Sequence, residues 1–435
     1  MKRKMIAMLL ISALCMGTAC ADRVISDDKA KKEKRNKGDV EYGELIEPEA
    51  NYNETEVEDA YLQFVFDIYS RCAQEADDGN MMISPASIMI AMEIANAGAC
   101  GDTQDQITNT LFPGVETDEG LTFASDLVSR INETTGVDFR AANALWLNEN
   151  NQVLANGLND EYVDYCMDYF NAEVNNEPFT GATTNEINNW VYDNTNGMIP
   201  EILDELDPES AAVIVNAICF EGEWAEQFED YQIDPNGQFT NSNGVIETVN
   251  MMSDTLENYF ETEDATGFIR YYEGSEYAFL AMLPTDTSVN ANEFASGLTA
   301  EDYAEFWNSR TNAYDVYIRM PEFTSDYTND ALVGILMDMG IEDAFDEDVA
   351  DFSNIASADG DTLYIDSIIH KTHIEVDREG TSAAAATAII MYDTASCEPM
   401  VTETREVYLD RPFAYAIVDV STGTPVFIGT VNSVE

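Results

Sequence analysis

The chain has 435 residues, 45% of them hydrophobic, with 83 Asp and Glu against 20 Lys and Arg, a formal net charge of −63. That length buries a large core in one big domain or two ordinary ones. The charge repels nucleic acid, heparin-like polyanions and anionic membranes and attracts basic partners at low salt, although it also serves solubility alone.

Residues 1–21 have the form of an export signal: Lys2, Arg3 and Lys4, an apolar stretch too short to span a bilayer, then small residues. Ala19-Cys20-Ala21 fits ordinary A-x-A cleavage. The run GTAC also fits a degenerate lipoprotein signal with Cys20 as the lipidated residue, although Gly17 stands where Leu is usual. Both endings stay open. Residues 22–52 lack apolar periodicity and read as a charged linker; residues 1–38 hold half of all the Lys and Arg, and beyond Asp39 Lys371 is the only lysine.

The folded body is expected over residues 53–435. It opens with VEDAYLQFVFDIYSRC, where Val57, Tyr61, Phe64, Val65 and Ile68 recur at helical spacing. NMMISPASIMIAMEIANAGACGDT reads as a strand end, a Ser-Pro helix entry and a buried helix closing on Gly98 and Gly101. Strands and helices then intermix through ANALWL, NEINNWVYDNT, AAVIVNAICF, YAFLAMLPT and YDVYIRMPEF. PFAYAIVDVSTGTPVFIGTV reads as two strands around an S-T-G-T turn. No regular βαβ alternation appears, which argues for an α+β fold.

Chemistry-bearing motifs are few. Seven cysteines, Cys15, Cys20, Cys72, Cys100, Cys166, Cys219 and Cys397, are scattered without a C-x-x-C pair. They indicate neither a zinc site nor a dense disulfide framework, leaving one disulfide or buried free thiols. His370 and His373 are the only histidines; no G-x-S-x-G accompanies them, and their spacing is wrong for a zinc helix. A hydrogen-bonded core histidine is the simpler reading of His370. Walker, G-x-G-x-x-G and EF-hand sequences are absent. No catalytic residue, metal or cofactor is assigned.

The most unusual stretch is EVDREGTSAAAATAIIMYDTASCEPM, Glu375 to Met400. At period two, Thr381, Ala383, Ala385, Thr387, Ile389 and Met391 share one face, and Ser382, Ala384, Ala386, Ala388, Ile390 and Tyr392 the other. Both faces start small, so a sheet could accept them without displacing neighbours. Alanine nevertheless favours helices, and composition alone fits an Ala-rich helix or a loop.

The stretch resembles the reactive-loop hinge of serpins, and further motifs resemble that family in order. They are Asn80 with SPASI (Ser84, Pro85, Ser87), then GACGDT, NWV with TNGMI, and VNAICFEGEW (Asn216 to Trp224). MGIEDAF, ADFS, HK ten residues before Gly380, DRPF and VFIGTV complete the set. The chain is identified as a member of the serpin family, an exported bacterial one. The resemblance implies about nine helices around three sheets, with a large central sheet and an exposed loop.

It also implies an irreversible suicide-substrate inhibitor of serine proteases rather than an enzyme, acting as a monomer through a covalent 1:1 complex, without cofactor or heparin-like activator. A serpin-fold protein that serves as protease substrate or binding module is the alternative. Gly380, Thr381, Ser382, Ala383, Ala384, Ala385 and Ala386 would form the hinge. The family count from Gly380 puts the reactive bond at Thr394–Ala395, suiting elastase-like or subtilisin-like enzymes; Tyr392, Cys397 and Met400 are alternatives within residues 392–401. Ser84, Ser87, Asn216, His370 and Trp224 would control opening of the sheet. Arg378 and Glu322 stand where the family commonly has Glu and Lys, so an ion pair of reversed polarity is expected, within about 6 Å and worth ~1 kcal/mol or less.

Overall fold

The computed structural model describes residues 42–43, 45–48, 51–76, 78–356, 363–381 and 403–434. The expected export signal over residues 1–21, Cys20 with it, and residues 382–402 lie outside these residues.

Helix α1 (Glu54–Glu75) buries Val57, Tyr61, Phe64, Val65 and Ile68, the stripe expected from the sequence. Helix α2 (Pro85–Gly98) is buried at every position, and Pro85 opens it where a missing N–H costs nothing. Ser84 caps it: Oγ accepts the Ser87 N–H at 3.2 Å. A Cβ on Gly98 would come within 2.3 Å of Ile355, so only glycine lets that segment close over the helix end. Seven further helices follow among the described residues: α3 (Gly101–Leu111), α4 (Thr117–Glu133), α5 (Asp160–Phe170), α6 (Gly181–Asn194), α7 (Ala291–Gly297), α8 (Ala300–Asn308) and α9 (Leu332–Met339).

Strands β1 (Met81–Ile83), β2 (Val137–Asn148), β3 (Ala172–Glu177) and β4 (Ala212–Glu223) come first. Next are β5 (Ile233–Thr240), β6 (Ile246–Leu256), β7 (Tyr259–Glu261), β8 (Ala265–Tyr271) and β9 (Tyr277–Pro284). Then come β10 (Tyr314–Pro321), β11 (Phe323–Thr328), β12 (Ser367–Val376) and the two-residue β13 (Gly380–Thr381). The chain ends with β14 (Glu403–Tyr408), β15 (Phe413–Asp419) and β16 (Pro425–Val431).

They form three sheets, ordered β1-β16-β15-β9-β8-β7, β14-β10-β6-β5 and β11-β12-β13-β4-β2-β3. This is the three-sheet α+β fold that the motifs implied. The third, central sheet has five strands of ordinary length plus the β13 fragment. Alternation along β4 divides its sides: Ile214, Ile218 and Phe220 join the main core, while Val213, Val215 and Ala217 meet α6 through Ile187 and Val191.

The compact unit runs from Val40 to Glu435. Leu45 and Ile46 pack against the core, and the Tyr165 hydroxyl donates to the Ile46 carbonyl at 2.9 Å. Three apolar residues, Leu45, Ile46 and Tyr52, are too few for visible periodicity but enough to hold this segment down.

Candidate functional site

β12 and β4 run parallel and pair directly only from Ser367–Val213 to His370–Asn216. Past that rung they part. Between Lys371–Glu375 and Ala217–Glu221 the described residues form no strand pairing. At the far end β13 fills the gap antiparallel to both neighbours, with Gly380 opposite Glu223, and Thr381 opposite Gly222 on one side and Val376 on the other.

The offset between β12 and β4 is the same in both places: 367 faces 213 where they touch, and 376 and 222 flank Thr381. The strands have therefore separated sideways without slipping along their length. A strand laid in the slot would meet both ladders in register.

The two wedge residues fit closely. A Cβ on Gly380 would lie 2.0 Å from the Gly222 carbonyl oxygen and 2.8 Å from Glu223 Cα, so this approach requires glycine. Thr381 is 1% exposed, and its Oγ1 lies 2.6 Å from the Tyr272 hydroxyl. Tyr272 stacks on Trp224, with ring centroids 4.7 Å apart and an interplanar angle of 11°.

The turn before the wedge is tied from both sides. Asp377 Oδ1 accepts the N–H groups of Glu379 and Gly380 at 2.7 and 3.0 Å. Trp224 N–H donates to the Glu379 carbonyl at 2.8 Å, Phe228 N–H to that of Arg378 at 3.0 Å, and Trp224 Nε1 to that of Asp377 at 2.9 Å. Arg378 Nε lies 3.7 Å from Glu322 Oε1, inside the expected distance. Its Nη1 makes a shorter contact, 2.8 Å, to Asp230.

At the closed end Ser84 N–H donates to His370 Nε2 at 3.2 Å, and Ser84 Oγ donates to the Val426 carbonyl at 2.8 Å. One serine thus joins the α2 entry, β12 and β16. Asn216, opposite His370 in the ladder, donates through Nδ2 to Asn143 Oδ1 on β2. Ser87 Oγ is buried without a partner among the described residues. Burial pushes the His370 imidazole down to about 4, so it is neutral at physiological pH. Sealed inside and facing a backbone amide, it is not placed to act as a base on an external substrate.

The structure thus brings Ser84 and His370 into contact, sets Asn216 beside them, and gathers Trp224, Glu322 and Arg378 at the mouth of the slot. Ser382, Ala383, Ala384, Ala385, Ala386, Tyr392, Thr394, Ala395, Cys397 and Met400 lie outside the described residues. Tyr272, Asp377, Asp230, Asn143 and Arg270 were not picked out from the sequence. Arg270 carried a usable signal, a lone charge in the apolar run GFIRYY. Cys72, Cys166 and Cys219 are buried free thiols and Cys100 a partly exposed one.

The fold and the slot define a class of protein whose central sheet has room for one more strand. A family model described as serpin (serine protease inhibitor) matches residues 59–434, and the chain belongs to the serpin family. A serpin-like protein of Methanosarcina acetivorans is 31% identical over 389 residues, covering 88% of this chain and 87% of its own. Human neuroserpin is 27% identical over 393 residues, covering 87% and 92%. The solved native-state structure of the thermophilic serpin tengpin matches with a TM-score of 0.78 at 31% identity, over 91% of this chain and 100% of its own. Its latent-state structure gives 0.74 at 29%, over 89% and 100%.

Proposed function

We propose that this chain inhibits serine proteases of elastase-like or subtilisin-like type by offering the loop after Thr381 as bait and then inserting it into the slot. The protease serine attacks the bait carbonyl, the amine of the following residue leaves, and an ester joins the two proteins. The freed loop enters between β12 and β4 and carries the protease along, so that its distorted oxyanion hole no longer supports hydrolysis of the ester.

The observation that carries this reading is the preserved register of β12 and β4, with Gly380 and Thr381 already on the first rungs. Continued down β4, that register sets residue 391 opposite Ala212, where the strand begins. A cut after Thr394 supplies enough chain. Fourteen residues from Thr381 extend roughly 45 Å at about 3.3 Å each. About ten new ladder bonds at ~1 kcal/mol each would rival a domain's usual stability. The uncut protein is then a metastable state with the hinge as its starting point.

The same reading takes the chain as a bacterial protein exported through residues 1–21, free or anchored at Cys20, and as a monomer until it meets its protease. Its acidic body favours basic proteases. Mixing with elastase-like and subtilisin-like enzymes tests the core of the proposal. A denaturant-resistant 1:1 complex is expected, and the mass of the released C-terminal fragment fixes the reactive bond. Thr381→Arg should be cleaved without trapping, because its side chain cannot enter the sealed position of Thr381. Clean cleavage of the wild-type protein with no complex would instead make it a substrate or binding module.

A further inference from the structure

We infer that Arg270, near the end of β8, is a positioning residue for the loop: it sets the Phe228 N–H that donates to the Arg378 carbonyl, and so holds the hinge at the mouth of the slot. Arg270 is only 4% exposed. Nη1 pairs with Asp254 Oδ2 at 2.8 Å, which ties it to β6. Nη2 donates to the Glu226 carbonyl, and the guanidinium carbon lies 3.8 Å from the centroid of Phe228 and 5.5 Å from that of Trp224.

The division of labour around it is specific. Trp224 and its neighbours are already fixed by backbone bonds: Ala225 N–H donates to the Tyr271 carbonyl at 3.0 Å, and Glu273 N–H to the Glu223 carbonyl at 2.8 Å. The next residues, Glu226 to Phe228, have left β4, and Arg270 grips that stretch at a carbonyl and a ring. A planar fork suits this task because one group can donate to a carboxylate and to a carbonyl and lie over an aromatic face at once. A lysine at the same place could keep the charge beside Asp254 but not the other two contacts. Phe228 in turn supplies the outermost of the two backbone N–H groups that hold the turn before β13. The wedge would otherwise have to find its first rungs again each time, while the ester of a protease not yet trapped is open to hydrolysis.

The trapping part rests on the inhibitor reading, so two measurements are needed on the full chain. In the first, hydrogen exchange at the Phe228 and Ala225 amides is followed in wild type, Arg270→Met and Arg270→Lys. Both variants should lose protection at Phe228 and keep it at Ala225. In the second, the moles of protein consumed per mole of protease trapped should rise several-fold in both, because more loops are cut before they insert. Phe66→Leu, in a core patch against Tyr303, is the control: matched to a similar thermal loss, it should leave both readouts unchanged. Should Arg270→Met not fold, Arg270→Lys carries the comparison. Wild-type protection at Phe228 together with an unchanged ratio in the variants would overturn the role of Arg270. Wild-type protein that is cleaved without trapping would overturn the inhibitor reading alone, and exchange would then decide Arg270.

Discussion

The hydroxyl oxygens of Tyr272 and Thr381 lie 2.6 Å apart in a sealed position, joining β13 to a residue that follows β8 in another sheet. Neither can turn to water. Tyr272→Phe leaves the Thr381 hydroxyl buried alone and should cost about 1–3 kcal/mol, read from the urea unfolding midpoint. Combined with Thr381→Val in a double-mutant cycle, it should show a coupling of about 1 kcal/mol. Strictly additive effects would mean that the bond contributes nothing.

Gly380 makes a steric prediction. The 2.0 Å approach of an added Cβ to the Gly222 carbonyl cannot be relieved by a side-chain rotation, because the obstacle is backbone. Gly380→Ala should therefore push the wedge off its rungs and cost about 1–3 kcal/mol. Gly181, at the start of α6, has nothing within 4 Å of its added Cβ. Gly181→Ala should be neutral or stabilising by up to about 1 kcal/mol. Equal effects at both positions would remove the argument.

How much of this was legible beforehand depended on range. The α1 stripe, the Ser84 cap and the β15–β16 pair are local patterns, and the structure has them where periodicity and turn residues put them. The family motifs extended that reach to the slot, because Ser84, His370, Asn216, Trp224, Glu322 and Arg378 all sit in motif positions. What stayed hidden was pairing across the chain. Tyr272 meets Thr381 from 109 residues away, and Asn216 meets Asn143 from 73, with nothing in the local pattern of either to announce the partner. Asp230 took Arg378 more closely than Glu322 did because it lies on the exposed turn after Phe228, one of many interchangeable acids in this sequence.

Arg378, half-exposed between Asp230 and Glu322, should be a weak ion-pair centre. Arg378→Glu sets three carboxylates together, and Arg378→Glu with Glu322→Arg should recover part of the loss. Solvent screening keeps the coupling below about 1 kcal/mol, and added salt should shrink it further. A coupling that does not respond to salt would point to packing rather than charge.

Glu93, wholly buried in α2, receives one hydrogen bond, from Asn96 Nδ2 at 3.2 Å. Its Oε1 and the Asn96 Oδ1 have no partner among the described residues. Burial pushes its carboxyl up to about 8, well above its ordinary 4.5. The folded state then holds a proton that the unfolded chain has lost, so stability falls as pH rises between those values, by roughly 4–5 kcal/mol in all. Glu93→Gln cannot ionise, and its amide could donate to Asn96 Oδ1. It should flatten stability between pH 5 and 8 (about the range between the two values), read from urea midpoints. An unchanged slope would show that Glu93 is ionised in the fold.

His370 should act in the opposite sense. Its imidazole lies at about 4 in the fold against an ordinary 6.5, so between those values the unfolded chain binds the extra proton. Its contribution is therefore fully present above 6.5 and lost as pH falls towards 4, about 3 kcal/mol in total. Protonation would also put a donor where the Ser84 N–H points, on the last rung that holds β12 against β4. Acid should thus weaken the seam as well as the fold, and on the inhibitor reading proposed above, spontaneous loss of trapping capacity should quicken below pH 6 (roughly where His370 begins to lag the unfolded chain). Subtracting the urea-midpoint profile of His370→Gln isolates this part from Glu93 and the surface carboxylates. A difference profile that stays flat from neutral pH to 4 would mean that His370 is not held neutral at the seam.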